Sequence, residues 1–270
     1  MFFKKIKPKT PGIRHQLSIQ KNLLSRQNRL IKPLCYKIQS HAGRSMTTGR
    51  ISIWGRSSGC KKLYRQLNYS NYNLISIVLF TTYDPYRHTF ITLNFNLLTY
   101  TFYYTLAINN LRVGSIIKAS TSKLYDVTLG YRGRLVNMPP GTLLHAVELY
   151  PSSKYATYAK SAGTFCQLLQ KTQTISKLRI PSGQIITINS NCWATIGIVD
   201  NLLQKFTILG KAGRKRLLGF RPSVRGCAMN PVDHPHGGRT KNGFIPMTPW
   251  GKLTKNVKTS RMIKQKIYKL

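Results

Sequence analysis

Five carboxylates cannot neutralise forty-three cations, and that imbalance limits what this chain can build. Of 270 residues, 43 are Lys or Arg and five are Asp or Glu, a formal net charge of +38. The shortage of acids is uneven. Residues 1–50 hold twelve cations and no acid. Residues 199–270 hold sixteen against Asp200 and Asp233, and residues 51–198 hold fifteen against Asp84, Asp126 and Glu148. Such a chain repels itself unless a polyanion surrounds it, and nucleic acid is the commonest polyanion.

The length allows one large or two small domains plus arms. A hydrophobic content of 41% suffices for a core, but residues 1–50 and 225–270 are too poor in apolar side chains to build one of their own. Fixing one residue's backbone costs roughly 1–2 kcal/mol, so about 120 residues of arm would cost on the order of 100 kcal/mol. Contacts with a partner must offset that cost, or the arms stay disordered. Cys35, Cys60, Cys166, Cys192 and Cys227 are odd in number and form no CxxC pair. Reduced thiols are therefore expected rather than a zinc ribbon or a redox motif. No apolar run approaches the ~20 residues that span a bilayer, and Leu74–Phe80 is the best. The N-terminal MFFKKIKPK lacks the apolar region of a secretory signal, and its acid-free basic character is compatible with an organellar presequence.

Strand patterning dominates the middle. Ile91, Leu93, Phe95 and Leu97 alternate with Thr92, Asn94 and Asn96. After Leu98 the apolar parity passes to Tyr100, Phe102, Tyr104 and Leu106. A parity flip across a short break predicts two antiparallel strands facing one core. Leu74–Phe80 and Ser115–Ala119 read as further strands, and Thr142–Leu149 as another after the Met138-Pro139-Pro140-Gly141 turn. Leu178 and Ile180, the Pro181–Gln184 turn, then Ile186 and Ile188 predict a hairpin. Many short, turn-separated strands argue for small β-barrels rather than a βαβ sheet. Helical signal is weak, with one short helix expected within Asp200–Leu209. From Leu209 onward Gly, Pro and cations dominate, which predicts an extended, loop-rich segment with a defined backbone path.

The leading site is the run Lys211-Ala212-Gly213-Arg214-Lys215-Arg216, followed by Arg221 and Arg225. Arg offers a planar fork that matches two phosphate oxygens, and Gly lets the backbone come close. A solvated charge run or a localisation signal is the plainer alternative. Arg44, Arg50, Arg56, Lys61, Lys62 and Arg65 form a second basic stretch. Tyr64, Tyr69 and Tyr72 beside it could stack on bases, although at least half are expected to pack on protein. Asp233, His234 and His236 lie within four residues and invite a metal or acid–base reading. No further ligand lies nearby, so a neutral imidazole bonded to RNA, its tautomer fixed by Asp233, is more economical. Asp84 in Tyr83-Asp84-Pro85 reads as a turn former, and Asp126 and Glu148 have no partner in sequence. Cys166 or Cys192 could pair with His145 for nucleophilic chemistry, but nothing in the spacing supports it.

At these residues the chain resembles the universal large-subunit ribosomal protein "L-two" family in its bacterial and organellar form. The resemblance is strongest in Gly210–Gly238, GKAGRKRLLGFRPSVRGCAMNPVDHPHGG, and resumes at Met247-Thr248-Pro249-Trp250-Gly251. Weaker stretches include Lys7–His15, Thr48–Ile51, Tyr83–Arg87, Leu111–Ile116, Asn137–Leu149, Ser161–Leu168, Leu178–Gly183 and Cys192–Gly197, so it runs nearly end to end. The family implies a mainly β fold, an OB-like barrel followed by an SH3-like barrel, with long extended basic arms. In this chain those parts fall at 1–42 for the N-terminal extension, 43–120 for the OB-like RNA-binding domain, 121–200 for the SH3-like barrel and 201–270 for the C-terminal arm.

The resemblance implies binding to large-subunit rRNA, neighbouring ribosomal proteins, and contact with the small subunit at the inter-subunit face. It implies a role in assembly and subunit association, with His234 near the peptidyl-transferase centre. It adds Arg87, Asn230, His236 and Arg239 to the expected rRNA-facing set. Peptidyl transfer belongs to RNA, so no enzyme, no cofactor and no membrane partner are expected, beyond RNA-bound Mg²⁺ nearby. The rivals are a nucleic-acid-processing enzyme using Asp233, His234 and His236, and a non-specific basic binder of nucleic acid. The chain departs from the family pattern at Arg56-Ser57-Ser58-Gly59-Cys60, where three glycines and a His are usual, and at Arg239-Thr240-Lys241 after Gly238. The scarcity of acids, with the abundance of Asn, Tyr, Ile and Lys, fits a fast-evolving, AT-rich organellar genome. The resemblance already begins near Lys7, which leaves little room for a cleavable presequence. A mitochondrial ribosome is the expected location, with a plastid second.

Overall fold

Residues 3–21, 24–25, 31–38, 43–57, 59–70, 74–121, 128–238 and 245–255 are described by a computed structural model. They fall into two units, residues 1–40 with 59–218 and residues 41–58 with 219–270. Asp126, Tyr72 and Arg239 lie outside the described residues.

The first unit is mainly β. Two short antiparallel pairs open it, β1 (Phe3–Lys5) with β2 (Leu17–Ile19) and β3 (Cys35–Tyr36) with β4 (Tyr64–Arg65). The first β block comprises β5 (Leu74–Thr82), β6 (Ile91–Asn96), β7 (Phe102–Leu106) and β8 (Ile116–Ala119). The second comprises β9 (Arg132–Arg134), β10 (Leu143–His145), β11 (Val147–Glu148), β12 (Ala156–Tyr158), β13 (Cys166–Lys171), β14 (Ile175–Arg179), β15 (Ile185–Asn189) and β16 (Trp193–Ile196). Ten of these strands form one hydrogen-bonded sheet, ordered β15-β14-β13-β10-β16-β9-β8-β5-β6-β7. The blocks meet in a parallel pairing of Ala119 with Arg132. This is the architecture expected of an OB-like barrel followed by an SH3-like barrel.

The parity flip is what joins β6 to β7. It sets Leu93 opposite Tyr104 and Phe95 opposite Phe102, so apolar partners share one face. Ile91, Leu93 and Tyr104 form the core on that face. The opposite face is buried too. Thr92, Asn94 and Asn96 are at most 2% exposed, and they belong to a polar row in which Asn94 Nδ2 donates to Thr105 Oγ1 at 2.7 Å and Tyr103 OH donates to Ser76 Oγ at 2.7 Å. The hairpin β14–β15 follows the expected alternation. Leu178 pairs with Ile186, and both are buried, whereas Lys177 and Thr187 face out. Gly183 holds φ +86° in its turn, a region L-residues avoid. The second block's core gathers Leu135, Met138, Leu144, Cys166, Leu168, Leu178 and Ile196 among others.

Three expectations need correction. Thr142–Leu149 is not one strand: Ala146 sits at φ +49° and splits it, so β11 leaves the sheet to pair with β12. The helix sought within Asp200–Leu209 is a 3-10 turn, Leu202–Phe206. The segment after Leu209 is not wholly extended, because Ala212–Leu217 forms a short helix with Arg214, Lys215 and Arg216 in its last turn. Cations there meet the negative end of the helix dipole, which favours the turn despite Gly213. Among the described residues no helix is long and apolar enough to cross a membrane.

The described residues of the second unit carry none of the buried apolar clusters. Backbone hydrogen bonds shape it. Ser45 N donates to Arg50 O at 2.8 Å, Arg221 N to Gly55 O at 2.7 Å and Ser57 N to Gly219 O at 2.9 Å.

Candidate nucleic-acid interface

Charge is distributed very differently over the two units. Among its described residues the first unit contains the acids Asp84, Glu148 and Asp200, and commits two of them to buried arginines. Asp84 is fully buried; its Oδ2 lies 3.0 Å from Arg87 Nε and its Oδ1 3.5 Å from Arg65 Nη1. Asp84 Oδ1 also accepts from Tyr86 N at 2.9 Å, the turn bond expected of this position. Arg65 is 5% exposed. It is an internal counter-ion, so the expectation that it faces RNA is corrected. Arg87 is half-buried, with its guanidinium 5.2 Å from the Tyr64 ring centroid.

Arg132 was not legible as a key residue. From β9 it reaches Glu148 Oε1 on β11 at 3.1 Å and Thr195 Oγ1 on the neighbouring strand β16 at 3.2 Å. Burial raises the Glu148 carboxyl above its ordinary pKa, against the pull of Arg132 and of the Trp193 amide. His145 is also internal. Its Nδ1 donates to Gly197 O at 3.0 Å, and burial lowers its pKa to about 4. Burial pushes the thiols of Cys166 and Cys192 up to about 12. A neutral, bonded imidazole and two protonated thiols make no nucleophilic pair.

Exposed cations include most of the second basic stretch and of the C-terminal run. Lys61, Lys211, Lys215 and Arg216 are exposed. Lys62 is half-buried and points its Nζ at Leu218 O, 3.5 Å away. Arg214 is half-buried and donates to Leu209 O. Around Gly213 a β-carbon would find open space, so that face of the helix admits close approach. Of the aromatics, Tyr64 packs on Tyr36 and Tyr86. Tyr69 is buried enough to push its phenol up to about 12.

The second unit holds fourteen Lys or Arg and one acid, Asp233. Arg44, Arg50, Arg56, Arg221 and Arg225 are all exposed. Arg56 lies 4.2 Å over the Phe220 ring, and Arg44 Nη1 donates to Gly49 O at 3.1 Å. These interactions stiffen two arginines without neutralising them.

Residues 226–238 form a closed loop. Asn230 O accepts from Asp233 N at 3.0 Å and His234 N at 3.2 Å, and Gly237 N donates to His234 O at 2.8 Å. Gly237 is required by proximity, since a β-carbon there would meet Asn230 O at 2.2 Å. His234 is 8% exposed, while Asn230 and Asp233 are exposed. His234 Nδ1 accepts from His236 N at 3.0 Å, which puts the ring proton on Nε2. The tautomer is thus fixed by a backbone amide and not by Asp233, a second correction. His236 Nε2 in turn accepts from Met247 N at 3.0 Å. Among the described residues no three His, Cys, Asp or Glu side chains converge as a metal site would require.

Residues 31–119 match the family described as Ribosomal Proteins L2, RNA binding N-terminal domain, and residues 128–251 match Ribosomal Proteins L2, C-terminal domain. The chain belongs to the ribosomal protein L2 family. It is 41% identical over 268 residues to "Large ribosomal subunit protein uL2m" of Reclinomonas americana, covering 96% of this chain and 94% of the relative. It is 38% identical over 266 residues to "Large ribosomal subunit protein uL2" of Aliarcobacter butzleri, covering 97% and 95%. The corresponding protein of Rhodospirillum centenum is 39% identical over 265 residues, covering 96% and 94%. The L2 likeness therefore includes both β blocks and the coreless second unit.

Proposed function

We propose that this L2-family chain is a structural constituent of the large ribosomal subunit and binds its rRNA through the second unit and the Lys211–Arg216 helix. One observation carries the reading. Residues 41–58 and 219–270 combine fourteen cations and one acid, and their described residues hold no buried apolar cluster. Ordering costs roughly 1–2 kcal/mol per residue, and only a polyanion offers enough to offset it there. The organelle we favour is the mitochondrion, supported by the uL2m relative and the scarcity of acids.

We further assign the 226–238 loop to the neighbourhood of the peptidyl-transferase centre, with His234 Nε2–H offered to RNA. The protein is a scaffold there and performs no chemistry. A role in assembly and subunit association belongs to the same reading, and membership of the L2 family supports it. Sedimentation of native lysate tests the reading. The protein travels with large subunits at low salt, and a pool of free protein at all salt concentrations would contradict it.

A further inference from the structure

The loop between β11 and β12 lifts one ring out of the first unit. Tyr155 is 75% exposed. Ser152 and Lys154 hold left-handed backbone at φ +61° and +57°, conformations that persist only where their surroundings impose them. Here Ser153 N donates to Tyr150 O at 3.3 Å, and Ser153 Oγ donates to Tyr155 O at 3.1 Å. The turn is therefore built, and the ring it presents stands largely in solvent.

Tyr155 lines two cavities, of about 540 and 640 Å³. The larger is walled by Tyr64 and Arg87 and rimmed by Lys160 and Lys205, and no carboxylate among the described residues lines it. Thr89 also lines it; it is 1% exposed, and its buried Oγ1 has no hydrogen-bond partner. An aromatic face, an unsatisfied hydroxyl and a cationic rim match the three parts of a nucleotide, namely base face, base edge and phosphate. The volume suits one nucleotide.

We propose that this groove receives an unpaired nucleotide of RNA, its base stacked on Tyr155 and its phosphates held by Lys160 and Lys205. The inference rests on the rRNA-binding reading and adds to it a base-stacking subsite in the first unit. A peptide segment of a neighbouring protein is the competing occupant.

The test uses the full chain bound to transcribed large-subunit rRNA, with nucleotide-resolution acylation of the RNA. Tyr155→Ala should expose one short unpaired stretch and weaken binding ~10-fold, as loss of one stacked base does. Tyr155→Phe should keep the protection, and Lys160→Gln with Lys205→Gln should weaken it. If Tyr155→Ala binds and protects as the wild type does, the inference is overturned. The same holds if an azidophenylalanine at position 155 crosslinks only to protein in assembled subunits. Failure of the wild-type chain to bind the rRNA at all would instead sink the functional reading, and this inference with it.

Discussion

A β-carbon at Gly226 would stand 2.6 Å from both Cε1 and Nδ1 of His234, so these two residues touch with no room for a methyl group between them. The ring's position, and the direction in which Nε2–H points, therefore depend on a glycine eight residues earlier. Gly226→Ala should displace His234 and lower rRNA affinity by about tenfold, in keeping with overpacking costs of roughly 1–3 kcal/mol. The thermal midpoint should move little, because the loop belongs to the coreless unit. Filter binding and calorimetry on the same variant check both halves of the expectation.

Asp84 should matter to stability and not to RNA. Asp84→Asn leaves Arg65 and Arg87 facing each other without a counter-ion. Breaking a buried pair in this way costs about 3–5 kcal/mol. Urea unfolding should show that loss, while the salt dependence of rRNA binding stays unchanged. An unaltered urea midpoint would mean that the Arg65–Asp84–Arg87 cluster contributes nothing to the fold.

His145 sets an acid limit. Burial lowers its pKa to about 4, against an ordinary value of 6.5. Between those values the unfolded chain binds a proton that the folded chain does not, so stability is full above pH 6.5 and falls as pH drops towards 4. The gap corresponds to roughly 3 kcal/mol. Glu148, raised by burial, opposes this in the part of the window just above its ordinary value. His145→Gln should flatten the acid side of the stability profile measured by chemical denaturation between pH 4 and 7.

Much of the fold was legible in the sequence, and the remainder was not for identifiable reasons. Alternation in 91–106, with its parity flip after Leu98, and in 177–188 announced the strands that the structure shows there. It could not announce that the polar row of Thr92, Asn94 and Asn96 is buried, since alternation distinguishes two faces without saying what covers each. The break at Ala146 was hidden because an alanine gives no sign of a left-handed backbone. Arg65 looked like its basic neighbours, because its partner Asp84 lies nineteen residues on and reads as a turn former. Arg132 and Glu148 were unremarkable singly, and only the packing of β11 beside the large sheet brings them together. In the Asp233–His236 motif the residue types were visible, but the backbone amide that fixes the His234 tautomer was not.

The Lys211–Arg216 helix offers a separate test of close approach. Gly213→Ala meets no atom within 4 Å and should raise local helicity by up to about 1 kcal/mol. If RNA phosphates lie against that face, the added methyl group weakens rRNA binding all the same. Neutralising Arg214, Lys215 and Arg216 together should lower the salt slope by roughly 0.7–0.9 for each phosphate these cations neutralise. The effect should exceed that of neutralising Lys264, Lys266 and Lys269, which lie outside the described residues. Equal effects, or a Gly213→Ala variant that binds as tightly as wild type, would remove the helix from the interface.

Hydrogen exchange of the intact chain, with and without large-subunit rRNA, addresses the central claim most directly. Amides of residues 43–57 and 219–255 should exchange almost freely in the RNA-free protein and become protected on binding, while β5–β8 and β13–β16 stay protected throughout. Strong protection of those two segments in RNA-free buffer at ordinary salt would contradict the account.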